Sequence, residues 1–219
     1  MRRFITMGFA IVSVAIAGPA AAVTISDPAG DFLSSFSGTP AGDLDVTRFS
    51  ANYDNGLSTF KLDWTLAGNV DPTVAGLYAV GVNTGAGAVA PFADVGAPNV
   101  IFDQVIAIQK NGSGFVTGPA GGLLAADAVK IAGNMISVSV PLSLLPSTGF
   151  KPLNYGFNLW PRTGLGGNDL ISDFAPDNAT IKASAVPEPG NWTLMLGGFA
   201  AIGMIMRRSR KQARPVLLN

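Results

Sequence analysis

The chain has 219 residues, 48% of them hydrophobic, and equal numbers of acidic and basic residues, so its formal net charge is zero. It contains no cysteine and no histidine, which excludes disulfides, thiolate nucleophiles, Ser-His-Asp triads and zinc or copper sites built on these residues. The charges are unevenly placed: residues 23–184 hold thirteen Asp, no Glu and seven Lys or Arg, a net charge of −6. Because nucleic-acid binding needs clustered basic residues, this acidic segment argues against nucleic acid as a partner.

The first 22 residues are predicted to be a secretory signal peptide. Arg2 and Arg3 precede an uncharged run over residues 4–22, which ends in small residues that include Ala20 and Ala22. A short positive region, an apolar stretch and a small-x-small site are the features that signal peptidase recognises, and cleavage is expected after Ala22. The protein is therefore expected to be exported, with residues 23–184 as one folded domain.

Residues 23–184 have the pattern of an all-β domain. Short runs rich in β-branched and aromatic residues alternate with turns rich in Gly, Pro, Asn and Asp. The clearest hairpins join residues 44–53 to 60–66 around Asp54-Asn55-Gly56, and residues 128–132 to 135–140 around Gly133-Asn134. Further strands are predicted from residue 24 and over residues 77–82, 100–109, 153–160, 170–174 and 180–183, with one helical turn over residues 142–145. The expected fold is an antiparallel β-sandwich, jelly-roll-like.

Aspartates on loops are the first candidates for a functional site. They fall into two groups, with Asp27, Asp31, Asp43 and Asp45 near the start of the domain and Asp173 and Asp177 near its end. Ca²⁺ takes six to eight oxygen ligands from carboxylates and carbonyls on flexible loops, so an Asp-rich exported domain is a suitable host. Asp27 and Asp31 are retained as candidate Ca²⁺ ligands. The alternative is that these aspartates start turns by hydrogen bonding to their own backbone.

Tryptophans and paired carboxylates give two further hypotheses. Trp64 lies in phase with the apolar residues of its strand and is predicted to belong to the core. Trp160, which precedes Pro161 at a strand end, is the candidate for a surface contact with a glycan. A two-carboxylate glycosidase would have to use Asp alone, because the domain has no Glu, and the domain is expected not to be an enzyme.

Residues 185–219 contain three zones in a fixed order. The first, Val186-Pro187-Glu188-Pro189, should be extended and accessible, because each proline fixes φ and lacks an N–H. The second is an uncharged run over residues 192–206 that begins with Trp192 and predicts a short transmembrane helix of roughly 22 Å. The third is a basic cluster that supplies the positive charge typical of the cytoplasmic end of a membrane segment. This cluster consists of Arg207, Arg208, Arg210 and Lys211.

These zones resemble the PEP-CTERM sorting signal of exported proteins in Gram-negative bacteria that make extracellular polysaccharide. The resemblance covers residues 186–211 and rests on the Pro-Glu-Pro triplet, Trp192 and the basic cluster in that order. It implies that signal peptidase and a membrane-embedded, exosortase-like enzyme process the chain, which passes through the inner membrane. The product would then reach the cell surface or the extracellular matrix, where polysaccharide is a candidate partner. The alternative is a plain C-terminal membrane anchor with incidental prolines.

The domain between the two ends resembles carbohydrate-binding-module sandwiches of family 9 and the DOMON-like kind. This resemblance rests on the early Asp27-Pro28-Ala29-Gly30-Asp31, on a strand that ends at Pro141-Leu142, and on an aromatic strand with Trp160-Pro161. It implies a sugar-binding module, and the loop aspartates add Ca²⁺ support to that alternative. The expected function is a non-enzymatic structural or adhesive domain, with the sugar-binding module and an Asp-based polysaccharide hydrolase as alternatives.

Overall fold

Two β-sheets account for the fold of residues 23–186. The computed structural model describes residues 23–87, 91–186, 196–204 and 207. In chain order the strands are β1 (Thr24–Ser26), β2 (Val46–Asp54), β3 (Thr59–Leu66), β4 (Leu77–Asn83), β5 (Gln104–Gln109), β6 (Gly114–Thr117), β7 (Gly122–Leu123), β8 (Val129–Ala132), β9 (Met135–Pro141), β10 (Gly156–Arg162), β11 (Ile181–Lys182) and β12 (Ser184–Ala185). The mostly β composition of the domain is as predicted.

The strands pair in two separate orders. Sheet A has the order β1-β2-β3-β9-β8, with β12 also paired to β2, and sheet B has the order β11-β10-β4-β5-β6-β7. The pairing of β12 with β2 is parallel, and the other strand pairs are antiparallel. Both predicted hairpins are confirmed, because Asp54 lies opposite Thr59 and Ala132 lies opposite Met135. The prediction of antiparallel sheets is therefore confirmed.

The two sheets face each other across a shared hydrophobic core. Alternate residues of β3 are at most 2% exposed: Phe60, Leu62, Trp64 and Leu66. The ring of Phe60 lies 5.3 Å from each of the rings of Tyr155 and Phe157, and the ring of Trp64 lies 5.9 Å from that of Tyr78, on sheet B. Fully burying one large apolar side chain contributes about 1.5–3 kcal/mol, so this layer is the main source of stability. The predicted core position of Trp64 is confirmed.

The outer face of sheet B is also covered. Segments after β4 and after β10 fold over it, which is why β4 and β10 are buried on both faces. Trp160 on β10 is 2% exposed, and its ring lies 5.0 Å from those of Phe92 and Phe102 and 6.2 Å from that of Phe174. Gly81 on the neighbouring strand leaves room for this ring, since a Cβ there would overlap it. The glycan contact predicted for Trp160 is corrected accordingly, because no face of the ring is open to a ligand.

Some element boundaries differ from the prediction. The strand expected over residues 170–174 is replaced by a 3-10 helix, Asn168–Leu170, followed by isolated bridges at Ile171 and Ala175. The strand expected from residue 100 begins at Gln104, because the residues before it belong to the segment that covers sheet B. The helical turn predicted near residue 142 is confirmed as a 3-10 helix, Leu142–Leu144.

The ordered sheet extends slightly past the predicted domain end at residue 184. Strand β12 ends at Ala185, and the backbone N–H of Val186 donates a 3.0 Å hydrogen bond to the carbonyl oxygen of Tyr53. Residues 196–204 are helical, and their large apolar side chains are exposed. Within the described parts of the chain, no helix is long and apolar enough to cross a membrane.

Most of the predicted targeting residues lie outside the described part of the chain. Those outside it are Ala20, Ala22, Pro187, Glu188, Pro189, Trp192, Arg208, Arg210 and Lys211. Val186 is described and is 37% exposed, and Arg207 is described as helical and exposed.

Candidate metal centre

Four aspartates from the two ends of the domain meet at one place. Asp27 and Asp31 lie on the loop after β1, and Asp173 and Asp177 lie on the segment between β10 and β11. One carboxylate oxygen from each residue lies within 4.8 Å of the corresponding oxygens of the other three. We call this group the acidic cluster.

The first loop of the acidic cluster is held against the start of β2. The backbone N–H of Asp27 donates a 3.0 Å hydrogen bond to the carbonyl oxygen of Thr47. The N–H of Gly30 donates a 2.7 Å hydrogen bond to Oδ2 of Asp45. Gly30 has a φ of +85°, a left-handed conformation that glycine adopts without strain, and it turns the loop so that Asp31 follows Asp27 into the cluster.

The second loop of the acidic cluster is fixed by contacts with other strands. Asp173 is 1% exposed, and its Oδ2 accepts a 2.8 Å hydrogen bond from the N–H of Val46. The side-chain amide of Asn158 on β10 donates to the carbonyl oxygens of Pro176 and Ala179 at 2.5 and 2.8 Å. These bonds hold the turn that carries Asp177. The carboxylates are therefore placed by the surrounding sheet and do not depend on the loops alone.

Burial and mutual repulsion both disfavour the ionised carboxylates. Burial, and then the negative charges of Asp173 and Asp177, raise the pKa of Asp27 to about 8. Burial raises the pKa of Asp173 to about 7, although the hydrogen bond from Val46 opposes this shift. Burial also raises the pKa of the neighbouring Asp45. In the absence of a cation, Asp27 would therefore be mostly protonated at neutral pH and Asp173 partly protonated.

Only part of this cluster was predicted from the sequence. Asp27 and Asp31 were expected to act together, and the structure brings them beside Asp173 and Asp177, which the sequence places at the far end of the domain. Asp43 lies elsewhere, with its Oδ2 2.6 Å from Nζ of Lys110. The turn-forming alternative applies to other aspartates, such as Asp54 and Asp71, whose carboxylates accept bonds from the N–H groups of Leu57 and Thr73.

Within the acidic cluster, Asp173 is too enclosed to act as a general acid, whereas the four carboxylates together offer the oxygen donors that a hard cation takes. A general acid must reach the atom to which it gives a proton, and Asp173 is 1% exposed and already bonded to the backbone. Carboxylate oxygens that converge on one point are instead what a hard cation requires. Comparison with known proteins adds no assignment, since no protein-family model, curated protein or solved structure matches the chain.

Without a bound cation, the free energy of unfolding is expected to fall as the pH rises from about 4 to about 8. An unfolded Asp has a pKa of about 3.9, whereas the pKa of Asp27 is raised to about 8 and that of Asp173 to about 7. Between these values the folded state binds more protons than the unfolded state. This contribution is therefore fully present below about pH 4 and is lost as the pH rises through about 7 and 8. Urea denaturation at about pH 5 and about pH 8, with a chelator present, measures the change.

The variant Asp173→Asn provides the control for this pH dependence. Its side chain stays uncharged and keeps an oxygen that can accept from Val46, so the difference between the two pH values should shrink. Asp127→Asn changes an exposed aspartate outside the cluster and should leave the difference intact. A wild-type urea midpoint that is equal or higher at the upper pH would contradict the expectation.

Proposed function

We propose that this chain is an exported cell-surface or extracellular-matrix protein whose β-sandwich domain has a non-enzymatic, structural or adhesive role. Signal peptidase removes residues 1–22. Residues 185–219 act as a PEP-CTERM-like sorting signal, which an exosortase-like enzyme processes after a short stay in the inner membrane. The product is a domain of about residues 23–186 at the surface of a Gram-negative bacterium.

The observation that carries this proposal is the exposed apolar helix that follows the domain. Leu196, Phe199, Ile202 and Met204 in residues 196–204 are between 53% and 65% exposed. Apolar side chains grouped on an exposed segment indicate a partner other than water. The Pro-Glu-Pro triplet before this helix and the basic residues after it are consistent with that partner being a membrane.

The non-enzymatic role is supported by how the candidate catalytic groups are used. Asp27 and Asp173, whose pKa values are raised to about 8 and about 7, belong to the acidic cluster, and Asp173 is bonded to the backbone of β2. The aromatic side chain proposed for glycan contact, Trp160, belongs to the core. A structural or adhesive domain needs neither Asp173 nor Trp160 at its surface.

Replacing Pro187, Glu188 and Pro189 together by alanine is expected to stop processing in the native host. The triplet is the feature that the processing enzyme is proposed to recognise, so the variant should accumulate in the inner membrane with its tail attached. Intact-mass measurement should show that the wild-type product has lost residues 1–22 and the segment beyond the triplet. Cell fractionation with the same samples reports where each form resides.

The matched control is Pro72→Ala, which removes an exposed proline of the domain, outside the sorting signal, and should leave processing unchanged. The proposal fails if the triple variant is trimmed and displayed like the wild type. It also fails if the wild-type protein keeps its tail permanently.

A further inference from the structure

The spacing of the acidic cluster matches the coordination sphere of Ca²⁺. Two oxygens on opposite sides of a Ca²⁺ ion lie about 4.6–5.2 Å apart, twice the Ca–O distance of about 2.3–2.6 Å. The four carboxylate oxygens of Asp27, Asp31, Asp173 and Asp177 are no more than 4.8 Å from one another. A single ion between these oxygens can therefore contact all four residues. Only small side-chain adjustments are needed, and neither loop has to move.

Buried oxygens in and beside the cluster give a second indication. Asp45 is 4% exposed, and among the described residues its Oδ1 has no hydrogen-bond partner. Its other oxygen accepts from Gly30, in the loop that carries Asp27 and Asp31, and its charge acts on both Asp27 and Asp173. Oδ2 of Asp27 is likewise buried and has no donor within the described chain. A buried acceptor without a donor costs about 1–3 kcal/mol, so a cation close to these two carboxylates would offset a cost that the protein's own groups leave uncompensated.

We propose that Asp27, Asp31, Asp173 and Asp177 bind one Ca²⁺ ion, with the buried Asp45 carboxylate close to the loop that carries Asp27 and Asp31. Ca²⁺ takes six to eight oxygens, so backbone carbonyls or water complete its coordination. The loops that supply the four carboxylates belong to the first and the last parts of the domain. The ion therefore links these two parts. The chain has no cysteine, and this bound ion would link distant segments as a disulfide does in many exported domains.

The proposed Ca²⁺ site is independent of the sorting signal. It uses only residues of the β-sandwich domain, and it would stand if the tail proved to be a permanent anchor. A failed processing experiment and a failed Ca²⁺ experiment are therefore distinct results.

The test uses the full chain, purified in detergent and stripped with a chelator, with CaCl₂ as the probe. Calorimetric titration is expected to show one Ca²⁺ per chain. At free Ca²⁺ about 100-fold above the Kd, the Tm should rise by roughly 5–10 °C. MgCl₂ at the same concentration should give a much smaller shift, because Mg²⁺ requires a tighter octahedral site and gives up water reluctantly.

The variants Asp31→Asn and Asp177→Asn separate ion binding from folding. Both side chains are exposed, so the variants should fold, which circular dichroism verifies, while their Ca²⁺ affinity should fall at least about tenfold. Asp127→Asn, an exposed aspartate outside the cluster, should bind Ca²⁺ like the wild type. The proposal is overturned if Ca²⁺ leaves the wild-type Tm unchanged, if the two cluster variants keep the wild-type affinity, or if Mg²⁺ is as effective as Ca²⁺.

Discussion

Replacing Lys110 by methionine is expected to destabilise the domain by about 3–5 kcal/mol, because it leaves a buried carboxylate without its cation. Nζ of Lys110 lies 2.6 Å from Oδ2 of Asp43, and their side chains are 3% and 6% exposed. Asp43 precedes β2 in sheet A, whereas Lys110 follows β5 in sheet B, so the pair links the two sheets. At about 2–4 °C per kcal/mol for a domain of this size, the Tm should fall by roughly 6–20 °C in a thermal melt.

Two further variants test whether the loss comes from the unpaired charge. Adding Asp43→Asn to Lys110→Met removes that charge and keeps an acceptor for the N–H of Asp71, so the double variant should be more stable than Lys110→Met alone. Lys61→Met breaks the exposed pair with Asp63, at 3.8 Å, and should cost about 0–1 kcal/mol. The interpretation is wrong if Lys110→Met melts like Lys61→Met.

Replacing Trp160 by alanine is expected to cost about 3–5 kcal/mol, the usual loss for a large aromatic side chain deleted from a core. The ring holds together Phe92, Phe102 and Phe174, which belong to the two segments that cover sheet B. Its removal leaves a cavity between β10 and those segments. Urea denaturation measures the loss of stability, and a reduced near-UV circular dichroism signal should report looser packing of the remaining aromatic rings.

Leu165→Ala is the comparison for Trp160→Ala. Leu165 is a large apolar residue on the loop after β10, but it is 77% exposed, so its truncation should change stability by less than about 0.5 kcal/mol. If Trp160→Ala were equally mild, the ring would not be part of a packed core, and a surface role for this residue would have to be considered again.

The fold can be predicted from the sequence for strands that have one buried face and one solvent-exposed face. On β3 and β9, strict alternation of apolar and polar residues identified both the strands and their buried sides, and Asn-Gly and Gly-Asn turns located the hairpins. The position of Trp160 at a strand end predicts a surface residue, whereas β10 is buried on both faces, and alternation of apolar and polar residues cannot indicate a second covering layer. Strands β6 and β7 were missed because they are short and contain glycine, which is typical of loops.

The acidic cluster was only half predictable, for a different reason. Asp27 and Asp31 stand four residues apart on one loop, so a local pattern singled them out. Asp173 and Asp177 join them only because the segment between β10 and β11 folds back toward the start of β2, where Val46 bonds to Asp173. Such a contact between distant segments has no local signature. The burial of Asp45 and its unpaired oxygen are properties of the fold, which the position of this residue in the sequence does not reveal.

Strands β1 and β12 share one side of β2, and this gives the domain neighbouring ends. β1 pairs with residues 48–50 of β2 and β12 with residues 52–53, while the N–H of Val23 donates a 3.1 Å hydrogen bond to Oγ of Ser184. A short peptide would bridge these ends without crossing the core, and the chain could be reopened at the exposed turn of Asn55 and Gly56. The neighbouring ends of the domain thus make it suitable for circular permutation.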